Sequence, residues 1–167
     1  YAVTNETGGI PSEAVKTLAE NDAVESVSTT RLSVFMPGAG DILPFETDLS
    51  VQSHETLQLV NVDEAQLQIY APNLSAQDKQ ALKDGTGCLV KNPIAFSYGD
   101  TTVQQTDLTV GDTIQLGDRT LPVLGLIDTA ITINNDGFTN GVQLIVNDEI
   151  YCSLLGNDSY SEVYPTL

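Results

Sequence analysis

Short runs in which apolar and polar residues alternate recur along the chain and predict a β-rich protein. The clearest case begins with a turn at residues 110–112, continues as a strand at residues 113–116 and returns as a strand at residues 120–127. Gly117 lies in the turn between the two runs, where glycine can adopt a positive φ without a steric penalty. Two short runs separated by a glycine-containing turn are typical of a β-hairpin.

Three stretches instead carry helix signals: the first and third have apolar residues at helical spacing, and the second has an S-x-x-D pair at Ser75 and Asp78. Residues 12–21 and 75–83 each begin with a serine, and a third helix follows Asn147 and ends before Gly156. Serine and asparagine side chains accept hydrogen bonds from the free N–H groups at a helix N-terminus, and glycine is common just after the last turn. The sequence therefore predicts three helices.

Residues with high β-propensity occupy most of the remaining chain. We predict further strands at residues 24–35, 49–53, 57–59, 67–69, 88–90, 130–133, 142–146 and 160–164. The order of elements is βαβ-like at the start, β-rich in the middle and β–α–β at the end, which indicates an α+β fold. We assign residues 1–35 and 140–167 to two halves of one α+β lobe. Residues 36–139 form an inserted β-rich lobe with a short helix near residues 75–83.

The charge of the chain is its most unusual property. Its 167 residues include 23 Asp and Glu but 6 Lys and Arg, so the net charge is −17. Such a chain repels phosphate backbones, which argues against nucleic-acid binding. It also repels anionic lipid headgroups, so we expect it to stand off a membrane surface. We interpret the acidity as a solvated surface that keeps the protein soluble.

Neither a membrane span nor a signal peptide is recognisable in the sequence. A span needs ~20 consecutive apolar residues, whereas the longest apolar run, residues 121–127, is short and contains Pro122 and Gly125. The chain begins at Tyr1 rather than at a methionine and ends at Leu167 in a stretch with strand character. We therefore expect it to be a piece of a longer protein.

Few residues are candidates for catalysis. His54 is the single histidine, so a Ser-His-Asp triad would have to use it, and no G-x-S-x-G motif provides a nucleophile. A hydrolase with a pair of catalytic carboxylates is not indicated either, because pairs of acidic residues occur by chance in a chain with 23 of them. The chain has no G-x-x-x-x-G-K-[ST] motif for a P-loop ATP site. We expect no catalytic residue, no cofactor and no enzymatic activity.

Two segments have some character of a cation site. Residues 134–137 resemble a calcium loop, but Thr132 and Gln143 stand where an EF-hand needs acidic residues, so a turn is the better interpretation. The second segment contains three acids, Asp41, Glu46 and Asp48. We interpret it as a solvated loop and predict no metal site.

Cys88 and Cys152 are the only cysteines, and they lie on a predicted strand and a predicted helix. Two cysteines permit one disulfide, but the sequence does not show their separation. We favour two buried thiols, since free cysteine packs as a small hydrophobe. Their spacing fits no zinc motif.

An ordered set of elements in the second half of the chain carries a family resemblance. These elements are the turn LKDG at 82–85, the strand CLVKN at 88–92, the hairpin LTVGDTIQLG at 108–117 with LPVLGLI at 121–127, then LIV at 144–146, IYCSLLG at 150–156 and a strand at Tyr160. In order and spacing they resemble the extracellular domain of FtsX-like ABC transporter permeases, also called the MacB-like periplasmic core domain. Residues 1–35 fit the opening of that family more loosely, and residues 36–72 do not match it.

The resemblance implies a domain held between the first two transmembrane helices of a permease, on the extracytoplasmic side of the cell membrane. It implies a split, porter-like α/β lobe with an inserted β-rich lobe. The family's last helix and strand have no counterpart here, so we expect a truncated or shortened lobe. Members of the family couple ATP hydrolysis in the cytoplasm to the export of peptides or drugs, lipoprotein handling or the activation of partners.

The implied partners are the transmembrane helices of the same permease, a separate ATP-binding subunit or domain, a possible second permease copy and an unspecified peptide, lipoprotein or drug. A secreted or surface-anchored β-rich binding or adhesion domain is the alternative, since it would share the acidity and the hairpins. Membrane helices on both flanks would distinguish the two. A hydrolase that uses His54 is a third hypothesis.

Overall fold

The computed structural model describes residues 2–5, 8–103, 105–133 and 141–167. The strands in these residues are β1 (Val3–Thr4), β2 (Ser26–Phe35), β3 (Thr56–Val62), β4 (Cys88–Lys91), β5 (Phe96–Tyr98), β6 (Thr101–Val103), β7 (Thr113–Leu116), β8 (Arg119–Leu126), β9 (Gly141–Ile145) and β10 (Glu162–Thr166). The helices are α1 (Ser12–Ala19), α2 (Glu64–Tyr70), α3 (Ala76–Asp84) and α4 (Asp148–Leu155), and a 3-10 turn spans Pro37–Ala39. The predicted α+β class is confirmed.

Eight strands form one mixed sheet in the order β1-β10-β2-β3-β9-β4-β8-β7, and β5 pairs with β6 in a separate hairpin. Neighbouring strands in the large sheet run antiparallel except for two parallel pairs, β3 with β9 and β4 with β8. The hairpin predicted from residues 113–127 is confirmed as β7 and β8. The helices predicted at residues 75–83 and after Asn147 are confirmed as α3 and α4.

Helices cover both faces of the sheet because its central strands are apolar on both sides. Strand β3 places Leu57 and Leu59 in one hydrophobic cluster with Ile150 of α4. Its next residue, Val60, lies in a second cluster with Leu82 of α3. Helices α3 and α4 therefore pack on opposite faces. Helix α1 contributes to a third, smaller cluster together with β2 and β10.

The large sheet includes strands from both ranges that the sequence assigned to separate lobes. Strands β2, β9 and β10 belong to residues 1–35 and 140–167, whereas β3, β4, β7 and β8 belong to residues 36–139. In the strand order β3 lies between β2 and β9. The division into two lobes stays a prediction.

The strand predicted at residues 67–69 is wrong, because this segment forms helix α2. Asp63 precedes the helix in an extended conformation, and its carboxylate accepts a hydrogen bond from the backbone N–H of Gln66 at 3.0 Å. The cap satisfies an otherwise free backbone donor at the helix start. Three alternating residues are too few to outweigh a well-capped helix.

Residues 49–53 also form no strand. The preceding residues approach the edge strand β7 at isolated points instead: Thr47 bridges Leu116, and the carbonyl of Glu46 accepts the N–H of Gly117 at 2.7 Å. These contacts cover part of an edge that would otherwise present unpaired backbone groups.

Residues 130–133 belong to none of the named strands, and at Ile131 a side chain takes the place of a neighbouring strand. The backbone N–H of Ile131 donates to the side-chain oxygen of Gln143 at 2.8 Å, and the amide nitrogen of Gln143 donates to the carbonyl of Ile131 at 2.7 Å. The carboxamide thus satisfies both backbone groups of Ile131, as a paired strand would.

A close approach between β3 and β9 leaves no room for a side chain at Gly141. An added Cβ there would lie 1.9 Å from the Thr56 hydroxyl oxygen and 2.5 Å from the Gln58 amide nitrogen. Gln58 donates to the Thr56 hydroxyl at 2.9 Å and accepts from Gln143 at 2.8 Å, and all three side chains are buried. The absence of a side chain at Gly141 thus makes space for a buried polar ladder.

Replacing Gly141 with alanine should lower the free energy of unfolding by about 1–3 kcal/mol, because the new methyl group must displace buried hydrogen-bonded groups. Urea denaturation monitored by circular dichroism measures the change. Gly8→Ala is the matched control, since nothing lies within 4 Å of a Cβ added at Gly8, and its effect should stay within about 0.5 kcal/mol. Equal stabilities of the two variants would contradict the prediction.

Candidate functional site

A groove of about 1050 Å³ opens where the parallel strands β3 and β9 end. Parallel strands present their carboxyl ends at the same edge of a sheet, where open α/β folds commonly bind ligands. Strand β3 leads into α2 and β9 leads into α4, so both connections border the groove. Residues of α1 and α3 form further parts of the wall, including Val15, Lys16, Lys79 and Lys83.

Asp63 fixes the connection between β3 and α2. One carboxylate oxygen accepts hydrogen bonds from the Ser28 hydroxyl at 2.9 Å and from Gln66 N–H at 3.0 Å. The other oxygen accepts from the Thr29 N–H at 2.9 Å. Asp63 therefore joins the start of α2 to strand β2, and both of its carboxylate oxygens accept hydrogen bonds within the fold.

Asn147 fixes the connection between β9 and α4. Its side-chain oxygen accepts from the Ile150 N–H at 2.9 Å, and its amide nitrogen donates to the carbonyl of Lys83 at 3.0 Å. Gly85 follows α3 with φ +76°, and a Cβ there would lie 2.9 Å from the Asn147 amide nitrogen. One side chain thus caps α4 and holds the end of α3 against it.

Arg31 on β2 lies under the groove and holds several of its walls together. Its guanidinium donates to the side-chain oxygen of Asn61 at 2.8 Å, to Asp148 at 3.2 Å and twice to the carbonyl of Asp158, at 3.0 and 3.2 Å. Its Cζ atom lies 3.8 Å from the centre of the Tyr160 ring. The planar guanidinium suits this set, since it offers several fixed donors and a face for the ring.

Aliphatic side chains, lysines and acidic residues line the groove. Val15, Leu67, Leu82 and Val146 supply apolar surface, while Lys16 and the two lysines of α3 supply positive charge. Aliphatic surface with a few charged groups is typical of sites that bind small ligands. The arrangement is therefore suited to binding.

A second notable feature is the edge where the first and last strands meet. Strands β1 and β10 pair antiparallel, with Val3 opposite Val163 and Thr4 opposite Glu162. In such a pair the start of one strand lies beside the end of the other. Ala2 and the last residues of β10 therefore lie at the same end of the sheet.

A buried carboxylate lies on this edge next to two tyrosines. Glu162 is 2% exposed. Burial raises the pKa of Tyr164, and so does its hydrogen bond to the Glu162 carboxylate. Burial also raises the pKa of Tyr70, with a further contribution from the charge of Glu162. Both phenols are therefore held in their neutral form.

The structure places the other residues that the sequence singled out in structural contacts. The side chain of His54 lies 3.0 Å from the Gln105 amide nitrogen, a contact that supplies no nucleophile for a hydrolase. Asp41 accepts the Met36 N–H and Asp48 accepts the Gln115 N–H, each at 2.8 Å. The calcium-loop candidate at 134–137 lies outside the described residues. In the part of the chain that is described, no group of three or more His, Cys, Asp or Glu side chains could hold a metal ion.

Cys88 and Cys152 are free thiols, so the prediction of unpaired cysteines is confirmed, but the prediction that both are buried holds for Cys88 alone. Cys88 is fully buried, and burial raises the pKa of its thiol to about 12. Cys152 is partly exposed, and burial raises the pKa of its thiol as well. Both thiols are therefore protonated and unreactive near neutral pH.

The lysines of the groove were missed by sequence reasoning. Lys16, Lys79 and Lys83 lie on helices whose existence was predicted, but nothing in the sequence shows that α1 and α3 face the same space. The scarcity of basic residues was the available signal. The chain has only 6 Lys and Arg residues against 23 acids, so a cluster of several basic residues at one site is unusual.

Replacing Arg31 with lysine should lower the free energy of unfolding by about 3 kcal/mol, because lysine cannot reach the buried Asn61 oxygen and the Asp158 carbonyl together and leaves one of these acceptors unsatisfied. Asp148→Asn is the control: the Asp148 side chain is 80% exposed, so the loss of its charge should cost under about 1 kcal/mol. Urea denaturation of both variants provides the test. A larger loss for Asp148→Asn than for Arg31→Lys would show that the ion pair, and not the buried network, is what stabilises the groove.

Stability should fall as the pH rises above about 10, the ordinary pKa of tyrosine. The pKa of Tyr164 is higher in the folded than in the unfolded chain, so the unfolded chain loses the proton first and is favoured as the pH approaches the folded-state value. Tyr164→Phe should make this loss shallower. Tyr98→Phe should leave it unchanged, since Tyr98 is 83% exposed. Denaturation at a series of pH values between 8 and about 11 compares the slopes, and identical slopes for all three proteins would refute the assignment.

A solved structure of a transporter domain shares this fold. The extracellular domain of the noncanonic ABC-type transporter YknZ from Gram-positive bacteria matches with a TM-score of 0.54 and 11% identity, over 95% of this chain and 73% of that chain. The periplasmic region of MacB from Actinobacillus actinomycetemcomitans matches with a TM-score of 0.48 and 11% identity, over 99% of this chain and 66% of that one. No family model matches, and no curated protein matches significantly. The chain thus has the fold of the extracellular domain of an ABC-type transporter.

Proposed function

We propose that this chain is the extracytoplasmic domain of an FtsX-like ABC transporter permease in the cell membrane. The observation that carries the proposal is the similarity in fold to the extracellular domain of YknZ over nearly the whole chain. The transmembrane helices of the same permease and a cytoplasmic ATP-binding subunit or domain are its partners. A second permease copy can complete the assembly. The substrate is a peptide, a lipoprotein or a drug.

The terminal edge of the sheet supports this proposal. Because β1 and β10 are antiparallel neighbours, polypeptide that connects them to membrane helices would reach the fold at one edge. This arrangement is compatible with a domain that is connected at both ends to neighbouring transmembrane helices. Movement of those segments would act first on β10, which pairs along five residues with β2.

The domain would move as a rigid body and would expose a surface to substrate or partner. It would catalyse no reaction itself. ATP hydrolysis would take place on the cytoplasmic partner, and the domain would change its contacts with substrate or partner outside the membrane. Among the described residues, no helix is long and apolar enough to cross a bilayer.

The location of the domain in the full-length protein tests the proposal. A membrane-impermeant amine reagent applied to intact cells should label Lys16 and Lys83, which are exposed. The labelled protein should stay with the membrane fraction after alkaline extraction, as a protein with transmembrane helices does. Mass spectrometry of the labelled peptides identifies the sites. Lys91 serves as an internal control, since it is 6% exposed and should remain unlabelled.

Two outcomes would overturn the proposal. Labelling of Lys16 and Lys83 that occurs after cell lysis alone would place the domain inside the cell. Labelled protein that is released from cells, or from membranes by alkali, would favour the secreted or surface-anchored binding domain instead. ATP hydrolysis by the purified 167-residue chain would contradict the non-enzymatic role.

A further inference from the structure

We propose that one end of the large sheet is a docking surface for a protein whose contact face is basic around an apolar centre. This end lies opposite the groove and carries the β5–β6 hairpin, and we call it the hairpin end. Its exposed apolar side chains and the sign of its charges are the observations that carry the proposal. The accessibility of this end outside the cell rests on the proposed function.

Strand directions separate the hairpin end from the groove and from the chain ends. Thr166 of the last strand pairs with Ser26, the first residue of β2, whereas Phe35 at the other end of β2 pairs with Leu57 near the start of β3. The ten residues of β2 span about 30 Å. If membrane helices hold the chain ends, as proposed above, the hairpin end points away from the membrane, where another protein can reach it.

Hydrogen bonds hold the base of the β5–β6 hairpin at this end. Asn92, just after β4, donates to the carbonyl of Leu108 and accepts from the N–H of Leu108, both at 2.8 Å. The hydroxyl and the N–H of Thr106 donate to the carboxylate of Glu55, just before β3. Within the described residues β5 and β6 pair with each other and with no strand of the large sheet, and residues 97–102 are exposed. The hairpin therefore projects from the body of the domain.

Exposed large apolar side chains are concentrated at the hairpin end. Of the nine among the described residues, five lie there: Met36, Ile42, Ile94, Tyr98 and Leu126. Tyr98 is 83% exposed and Ile42 is 92% exposed. Single exposed apolar residues are ordinary, whereas several in one region mark an interaction surface. Tyrosine is also among the residue types that contribute most to binding at protein interfaces.

Contacts place the members of this set that lie outside the hairpin. Met36 follows the last residue of β2, and its N–H donates to the carboxylate of Asp41, the neighbour of Ile42, at 2.8 Å. Leu126 ends β8, which runs parallel to β4 and ends beside it. Ile94 follows β4 by three residues and leads into the hairpin.

The exposed acidic and basic residues of the hairpin end have one sign of charge. Four exposed aspartates lie there: Asp41, Asp100, Asp107 and Asp128. Of the 6 Lys and Arg residues of the chain, five line the groove or pair with acids that line it. The sixth, Lys91, is 6% exposed, and its ammonium group donates to the carbonyl of Asn92. The hairpin end thus attracts positive charge and exposes no lysine or arginine of its own.

This charge selects the kind of partner. A second copy of the chain would bring the same aspartates and its own net charge of −17 to the contact, which disfavours self-association through this end. Anionic lipid headgroups are repelled as well. A protein face with lysine or arginine around an apolar centre would pair with the aspartates at the rim and bury Tyr98.

Photo-crosslinking of the full-length protein in intact cells tests the proposal. The photoreactive residue p-benzoylphenylalanine replaces Tyr98 in one variant and Ile94 in another. Both variants should form an adduct with the same basic protein, which mass spectrometry identifies. The same replacement of Ile69 is the matched control, since Ile69 is 70% exposed but lies on α2. It should give at least about fivefold less of this adduct.

Charge variants test the role of the aspartates with the identified partner and the purified 167-residue chain. Asp100→Asn with Asp128→Asn should lower the affinity by about fivefold or more, and added salt should lower it too. Asp22→Asn with Asp118→Asn is the matched control, because both residues are exposed elsewhere and the change in net charge is the same. Its affinity should stay within about twofold of the original. Titration calorimetry measures binding after circular dichroism has shown that each variant is folded.

Several results would overturn the proposal. Absence of an adduct from both hairpin-end positions would do so, and so would an equal yield from the Ile69 position. An adduct with an acidic protein, with lipid or with a second copy of the chain would refute the inferred partner. Equal weakening by the two aspartate pairs would show a general effect of charge. If surface labelling of Lys16 and Lys83 succeeds and no adduct forms, the docking surface alone is refuted, whereas labelling after lysis alone refutes the transporter role.

Discussion

The parallel pairing of β3 with β9 is the constraint on which the rest of the structure depends. These strands lie in the middle of the sheet and are buried on both faces, so each must be followed by a helix that covers one face. Because they are parallel, both connections emerge at the same edge. The groove is a direct consequence, since α2 and α4 begin there and cover opposite faces. Gly141 allows the close approach on which the buried polar ladder between the two strands depends.

Basic residues are scarce in this chain, and one of them, Arg31, lies at a buried site surrounded by hydrogen-bond acceptors, where a carboxylate would be unfavourable. Arg31 is 4% exposed, yet its donors meet a side-chain oxygen and a backbone carbonyl as well as Asp148. An acid at this position would face carbonyl oxygens without a proton to offer them. The arginine therefore stabilises the meeting point of β2, β3, α4 and the loop before β10, and it pairs with Asp148, one of the acids that line the groove.

Local signals predicted the local elements, and non-local contacts decided the rest. The β7–β8 hairpin, α3 and α4 carry their own turn and cap residues within about ten positions, so the sequence is sufficient to predict them. The side chain of Gln143 satisfies both backbone groups of Ile131, which no pattern in residues 130–133 reveals. The groove was not predictable for the same reason: Lys16 and Lys83 are 67 positions apart, and the sheet order that brings their helices together is a property of the whole chain.

The terminal edge of the sheet, formed by β1 and β10, lies close to the groove at the ends of β3 and β9. Strand β2 pairs with β10 on one side and with β3 on the other, so a single strand separates the edge from the groove. Thr30 pairs with Glu162 and with Val62, and the next residue, Arg31, binds the carbonyl of Asp158 just before β10. A displacement of β10 would act on Arg31 and on the walls of the groove without passing through the apolar core. If membrane segments do move β10, the shape of the groove is the property that they would change first.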